Sequence, residues 1–204
     1  MERSSGVLLH ISSLPGEGGI GCLGKDAFQF VDFLSQTKQK IWQILPLGPV
    51  GYGNSPYQCY SAFAGNPMFI DVQQLVSDRL ISKKSITEQN FKSKVVEFER
   101  LEEWKTGLLR EAFAGFQKNF DHYKDEYYTF MSHNSWWLDD YALFRSLKTK
   151  HGETVWNTWE KELVIRDKQV LHEAFKELHS EIDFHRFLQF VFFRQWFKLK
   201  SYAN

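Results

Sequence analysis

The sequence predicts an α/β fold, and three neighbouring segments near its start carry the prediction. An apolar strand, GVLLH (6–10), comes first; a helix follows over 26–35; a second strand, IWQILPLG, occupies 41–48. Strand, helix and strand with short connections form a βαβ unit. Such units build doubly wound parallel sheets or barrels.

Each of these elements has its own sequence pattern. The first strand is nearly continuous in apolar residues, which predicts burial on both faces of a parallel sheet. The helix places Ala27, Phe30 and Leu34 at helical spacing, which predicts one apolar face. The second strand ends at Pro46.

Three regions are predicted along the chain. Residues 1–80 hold the first βα units and a short helix that ends near Leu80. Charged and aromatic residues alternate at helical spacing over 81–180, where proline is absent, so this region is predicted to be an inserted helical subdomain. Its helices are expected near Val95–Leu109 and Trp136–Lys148.

The region 181–204 is predicted to be a buried helix, because its residues are apolar almost all round. A parallel sheet of only two strands cannot cover itself. The chain is therefore expected to be the N-terminal part of something larger, ending before the next strand.

Composition excludes several classes of function. The 204 residues include 25 basic and 25 acidic ones, so no net charge favours nucleic acid or an anionic membrane. Cys22 and Cys59 lack the spacing of a zinc site or a disulfide scaffold, and no metal or cofactor is expected. The N-terminal apolar run is too short for a signal peptide, which predicts a cytoplasmic protein.

The glycine-rich run GEGGIGCLGKD (16–26) resembles a phosphate-binding loop only in part. Its G-x-G-x-x-G lies too far beyond the strand, and Asp26 stands where a Walker A loop needs Ser or Thr to ligate magnesium. We interpret the run as a loop that precedes a helix.

Two loops at predicted strand ends could hold a ligand. The first carries His10, which either faces a ligand or caps the strand. The second, GYGNSPYQ (51–58), combines two tyrosine rings with neutral hydrogen-bonding groups and no charge, which suits neutral hydroxyls rather than phosphate. Composition alone leaves open whether this loop is a sugar site or an ordered turn with buried tyrosines.

Four segments resemble the amylomaltase family of glycoside hydrolases, which are 4-α-glucanotransferases or disproportionating enzymes. They are SSGVLLHISSLPG, GGIGCLG, WQILPLGPVGYGNSPYQCYSAFAGNP and WWLDDYALFRSLK. The resemblance implies a (β/α)₈ barrel with helical subdomains inserted between early strands, of which this chain would form the first, incomplete part. It also implies α-1,4-glucans and maltooligosaccharides as partners.

The resemblance implies roles for individual residues. Tyr52 matches a tyrosine that stacks on glucan at a secondary site, while Ser55 and Tyr57 match donor-site residues beside the scissile bond. Asn54 stands where many relatives have Asp and is a weaker candidate. His10 matches a histidine after the first barrel strand, with no role attached.

The family mechanism is retaining, with an Asp nucleophile and a Glu acid/base. No residue of this sequence matches the motifs that carry them, so no catalytic residue is expected here and the chain alone is expected to be inactive. Two alternatives remain: a non-catalytic glucan-binding module, and a nucleotide-binding α/β protein that uses the glycine-rich run.

Overall fold

The computed structural model describes residues 3–16, 18–87, 89–92 and 94–204, with the side chain of Tyr52 excepted. The chain divides into two compact units. The first comprises Met1–Tyr123 and Val191–Asn204, and the second comprises Lys124–Phe190.

The first unit contains a two-stranded parallel sheet. Strand β1 (Gly6–Leu8) pairs with strand β2 (Ile41–Gln43), and helix α1 (Lys25–Gln36) lies between them in sequence. The predicted βαβ unit is therefore confirmed. The amide of Leu9 continues the ladder by donating to the carbonyl of Gln43 at 3.0 Å.

The two faces of this sheet differ, and the prediction that the first strand is buried on both faces is wrong. Along each strand the central residue is half-buried while its two neighbours are exposed. Trp42 is one of these central residues; its ring lies 4.9 Å from that of Phe30 of α1, and its Nε1 donates to the carbonyl of Leu9 at 2.7 Å. On the opposite face Leu8 and Ile41 are 58% and 50% exposed.

Helices α2 (Val72–Ser77) and α3 (Phe98–Lys118) complete the first unit together with the end of α7 (His179–Ala203). Asp71 caps α2, because its carboxylate accepts from the amides of Gln73 and Gln74 at 3.2 Å each. The buried side chain of Gln195 makes two hydrogen bonds to the backbone of Asp71. Its Oε1 accepts from the Asp71 amide at 2.7 Å, and its Nε2 donates to the Asp71 carbonyl at 3.1 Å.

A buried lysine joins α3 to the segment before α2. Lys105 is 2% exposed, and its Nζ donates to the carbonyl of Met68 at 2.6 Å. Burial lowers the pKa of this amine, and the nearby Cys22 and Asp71 oppose that change.

The second unit is helical in its described residues. It contains most of α4 (Phe120–Lys150), with α5 (Lys161–Val164), α6 (Lys168–Glu177) and the first part of α7. One cluster of its core consists of Ala142, Leu143, Leu147, Ala174 and Ile182. Beside it, Arg186 of α7 makes ion pairs with Asp139 at 2.6 Å and with Asp183 at 2.9 Å.

The observed elements differ in length from the predicted ones. Strand β2 ends at Gln43 instead of position 48, and the predicted helices near 95–109 and 136–148 lie within the longer α3 and α4. The last helix is buried at Phe187 and Phe192, but in its final turns only one face is buried, since Leu199 is 1% exposed and Phe197 54%. The unit Lys124–Phe190 does not coincide with the predicted subdomain 81–180, whose boundaries stay a prediction.

None of the helices in the described part of the chain combines the length and the apolar composition needed to span a bilayer.

Replacing Gln195 with alanine is expected to destabilise the protein. The change leaves the part-buried amide and carbonyl of Asp71 without their side-chain partners, at a cost of about 2 kcal/mol for the pair. Chemical denaturation measured by circular dichroism checks the value. Lys198→Ala, on the same helix, removes only an exposed contact of 3.1 Å to Gln74 and should change the free energy of unfolding by less than about 0.5 kcal/mol. Equal effects of the two substitutions would contradict the role given to Gln195.

Candidate functional site

The loop after β2 is closed at its base by backbone hydrogen bonds. Val50 and Cys59 form an antiparallel bridge, and the amide of Gly51 donates to the carbonyl of Gln58 at 2.8 Å. The amide of Tyr60 donates to the carbonyl of Pro49 at 3.0 Å. The loop 51–58 is therefore an ordered structure with a fixed base.

Two consecutive residues at the tip of the loop adopt left-handed backbone conformations. Gly53 has φ 74°, and Asn54 has φ 54°. Glycine takes this conformation without steric cost, and asparagine tolerates it better than most residues. The backbone conformation therefore accounts for asparagine at position 54, independently of any ligand.

Local bonds of Ser55 shape the second half of the loop. Its hydroxyl oxygen accepts from the amide of Tyr57 at 3.3 Å, and its carbonyl accepts from the amide of Gln58 at 3.0 Å. This turn projects the Tyr57 side chain outward, where it is 72% exposed. Tyr57 is thus a free aromatic surface on a well-ordered backbone.

Tyr57 is one of the residues that line a cavity of about 770 Å³ in the first unit. Apolar side chains make up most of its wall, several of them aromatic, and no charged side chain is among the described residues that line it. The aromatic members are Tyr57, Phe63, Phe192, Phe193 and Trp196. Such a wall offers apolar ring faces to a neutral ligand and nothing to neutralise a phosphate.

The structure separates the predicted site residues. Tyr57 lines the cavity, whereas Asn54 and Ser55 lie in the loop without being among the lining residues. The backbone of Tyr52 begins the turn at the loop tip, but its side chain lies outside the described part of the chain. His10 is not among the lining residues either.

Sequence reasoning missed the far wall of the cavity. Phe193 and Trp196 belong to α7, more than a hundred residues from the loop, and their periodicity indicated only a buried helix. Phe63 also lines the cavity and is 52% exposed. Its position between two alanines in a loop was the one sequence feature that could have indicated an accessible ring.

Cys59 has a structural role at the base of the loop. Its thiol donates to the carbonyl of Pro56 at 3.0 Å, and burial raises its pKa. A Cβ on Gly48 would come within 2.8 Å of the Cys59 sulfur, so this close approach requires glycine.

His10 follows β1 and is 8% exposed. Its ring meets that of Phe69 edge-on, with ring centroids 5.4 Å apart. Burial lowers the pKa of the imidazole, which favours its neutral form. The ring nitrogen Nδ1 is buried and has no hydrogen-bond partner among the described residues.

The glycine-rich run does not form a phosphate site. Gly24 precedes α1, and a Cβ there would lie 2.6 Å from the carboxylate carbon of Asp71. An acidic group thus stands beside the start of this helix, where a phosphate would have to bind. The Cys22 thiol faces the same carboxylate at 3.7 Å, and burial raises its pKa to about 11.

Over residues 3–16, 18–87, 89–92 and 94–204, histidine, cysteine, aspartate and glutamate side chains nowhere gather in a group of three or more able to hold an ion.

Comparison with known proteins identifies a consistent set of relatives. A family model described as 4-alpha-glucanotransferase matches residues 9–204. The 4-alpha-glucanotransferase of Thermus thermophilus is 43% identical over the whole of this chain, which covers 40% of that relative. The enzyme of the same name from Synechocystis is 42% identical, again over the whole chain and 41% of the relative.

Solved structures agree with this result. An amylomaltase from Streptococcus agalactiae in complex with acarbose matches with a TM-score of 0.94 and 38% identity, covering all of this chain and 41% of that one. An amylomaltase from Corynebacterium glutamicum matches with a TM-score of 0.68 and 18% identity over 98% of this chain and 28% of that one, a likeness of fold alone. The chain spans about 40% of the length of the curated relatives it matches.

Replacing Gly53 with alanine is expected to destabilise the loop, because an L-residue at φ 74° is strained by about 1 kcal/mol. Gly107→Ala is the matched control, since a Cβ at Gly107 in α3 meets nothing within 4 Å and alanine favours a helix by up to about 1 kcal/mol. The two substitutions should therefore shift the denaturation midpoint in opposite directions. A stabilising effect of Gly53→Ala would contradict the left-handed conformation.

Proposed function

Because the chain belongs to the 4-alpha-glucanotransferase family, we propose that it supplies glucan-binding elements of an enzyme that transfers α-1,4-glucan segments between maltooligosaccharides. One observation carries the assignment of the site: an exposed tyrosine, Tyr57, borders a cavity whose described lining is uncharged, mostly apolar and partly aromatic. A sugar presents apolar ring faces and neutral hydroxyls, and this cavity offers matching surfaces to both.

Each candidate residue of the loop has a proposed role. Tyr57 stacks on the donor sugar, because its ring is exposed while its backbone is held by Ser55. The hydroxyl oxygen of Ser55 already accepts one bond and keeps its proton free to donate to a sugar oxygen. Tyr52 binds longer glucans away from the reacting bond, and Asn54 contributes mainly to the conformation of the loop tip.

The reaction is a retaining transfer, in which a carboxylate nucleophile forms a covalent glycosyl-enzyme and a sugar hydroxyl then attacks it. Nucleophile and acid/base must flank the glycosidic bond at about 5 Å from each other. The residues that line the cavity include no aspartate or glutamate in the described part of the chain. This loop therefore holds the donor and does not cleave it.

The same proposal extends to the fold: β1 and β2 are neighbouring strands of a (β/α)₈ barrel, and the helical region that follows is inserted between barrel elements. The exposed face of the sheet supports this arrangement. Leu8 and Ile41 are apolar, half or more exposed, and lie on the face opposite Trp42. A closed barrel fills its interior with such side chains.

A cytoplasmic location and a binding preference for α-1,4-glucans complete the proposal. A nucleotide-binding function is not favoured, since Asp71 occupies the neighbourhood of the α1 N-terminus. A glucan-binding module without catalysis would share the same loop, and activity measurements separate it from an enzyme.

Tyr57→Ala is expected to weaken binding of maltoheptaose about tenfold, as loss of roughly 1.4 kcal/mol of ring contact implies. Isothermal titration calorimetry measures the change. Tyr128→Ala, which removes a tyrosine 54% exposed in the second unit, serves as the control and should leave the affinity unchanged. Equal affinity of the Tyr57 variant and the unsubstituted chain would show that the loop's role is structural only.

Incubated with maltotriose, the 204-residue chain is expected to release no glucose and to form no longer glucans, because the described residues that line the cavity include no pair of carboxyl groups. Chromatography of the products gives the answer, with the Thermus thermophilus enzyme as positive control. Glucose release in proportion to the concentration of this chain would contradict the assignment.

A further inference from the structure

A short turn motif occurs twice among the residues that surround the cavity. In the first copy, the hydroxyl oxygen of Ser55 accepts from the amide of Tyr57, two residues further on, at 3.3 Å. In the second copy, the hydroxyl oxygen of Ser61 accepts from the amide of Phe63, again two residues further on, at 3.1 Å. Each copy consists of a serine, one intervening residue and an aromatic residue. The same local bond therefore holds the backbone of both aromatic residues.

Further bonds hold the second turn next to Phe63. The hydroxyl oxygen of Ser61 also accepts from the amide of Ala64 at 3.1 Å. Two residues later, the amide of Asn66 donates to the carbonyl of Leu47 at 2.7 Å, which ties the turn to the segment after β2. The backbone that carries the Phe63 ring is therefore fixed before a ligand binds, and little conformational entropy is lost on binding.

Both aromatic residues line the same cavity and keep much of their surface exposed. The exposed fraction is 72% for Tyr57 and 52% for Phe63. Exposure alone does not single out Phe63, because Phe33 of α1 is also 52% exposed and is not among the residues that line the cavity. Two features together distinguish Phe63: its place in the cavity wall and the repeated turn that it shares with Tyr57.

We propose that Phe63 is a further substrate-binding residue, whose ring stacks on the apolar face of a glucose unit of the bound glucan. The inference rests on the proposed function and adds an aromatic ring from outside the 51–58 loop. A neutral sugar is the expected ligand, because no charged side chain is among the described residues that line the cavity. Phenylalanine has no polar side-chain atom, so this contact recognises the flat face of a sugar ring and not its hydroxyl groups.

Two substitutions test whether the flat ring matters. Phe63→Tyr keeps the ring and should leave the affinity for maltoheptaose within about twofold. Phe63→Leu keeps an apolar side chain without a ring and should weaken the affinity about fivefold. Phe33→Leu is the matched control, since it removes an equally exposed ring outside the cavity, and it should leave the affinity unchanged.

Isothermal titration calorimetry measures these affinities, and circular dichroism shows whether each variant is folded. An unchanged affinity of folded Phe63→Leu, or equal losses in Phe63→Leu and Phe33→Leu, would overturn the inference.

Nuclear magnetic resonance of the unsubstituted chain gives a test that needs no variant to fold. With ¹³C-labelled phenylalanine rings, the ring protons of Phe63 should show nuclear Overhauser effects to the C–H protons of bound maltoheptaose. The ring protons of Phe33 should show none. A bound maltoheptaose that gives no such effect at Phe63 contradicts the proposed stacking.

The outcomes for Phe63 and for the 51–58 loop are distinguishable. If maltoheptaose binds and Tyr57→Ala weakens the binding while Phe63→Leu does not, only the inference about Phe63 fails. If the folded chain binds no maltoheptaose at all, the proposed function fails and the inference fails with it.

Discussion

The arrangement of the first unit depends on one contact between residues 124 positions apart in sequence: the side-chain amide of Gln195 against the backbone of Asp71. The contact satisfies one donor and one acceptor of the part-buried Asp71 backbone and both polar atoms of the buried Gln195 side chain, where leaving them unpaired would be costly. It fixes the start of α2, whose first amides the Asp71 carboxylate caps. The same carboxylate packs against Gly24 at the start of α1. The end of α7 is thereby held to both short helices.

This constraint also explains how the cavity acquires its far wall. With Gln195 fixed against Asp71, the neighbouring Phe193 and Trp196 of α7 are held beside the loop segment that contains Phe63. A Cβ at Gly65 would fall within 2.0 Å of the Phe192 ring, so the loop approaches the helix as closely as glycine permits. The site thus combines a local loop with a distant helix.

The parts of the structure that local sequence encodes could be predicted, and those that tertiary contacts decide could not. The βαβ unit follows from periodicity. The chemistry of the 51–58 loop pointed to Tyr57, which lines the cavity, while its role in sugar binding stays a prediction. Strand β2 is shorter than its apolar run because pairing with β1 ends at Gln43. The prediction that the first strand is buried on both faces was wrong. An apolar side chain is suited to burial, but its composition does not show that another part of the chain covers it. Phe193 and Trp196 gave no signal, because helical spacing cannot tell a core wall from a cavity wall.

The buried amine of Lys105 has a practical consequence. Its Nζ is held on the carbonyl of Met68 in a 2%-exposed side chain, so reagents that acylate amines cannot reach it while the fold is closed. The exposed lysines react at once, whereas Lys105 reacts only when α3 separates from the segment before α2. The labelling rate at this single residue would therefore report how often that junction opens, and a bound ligand that rigidifies the first unit would slow it.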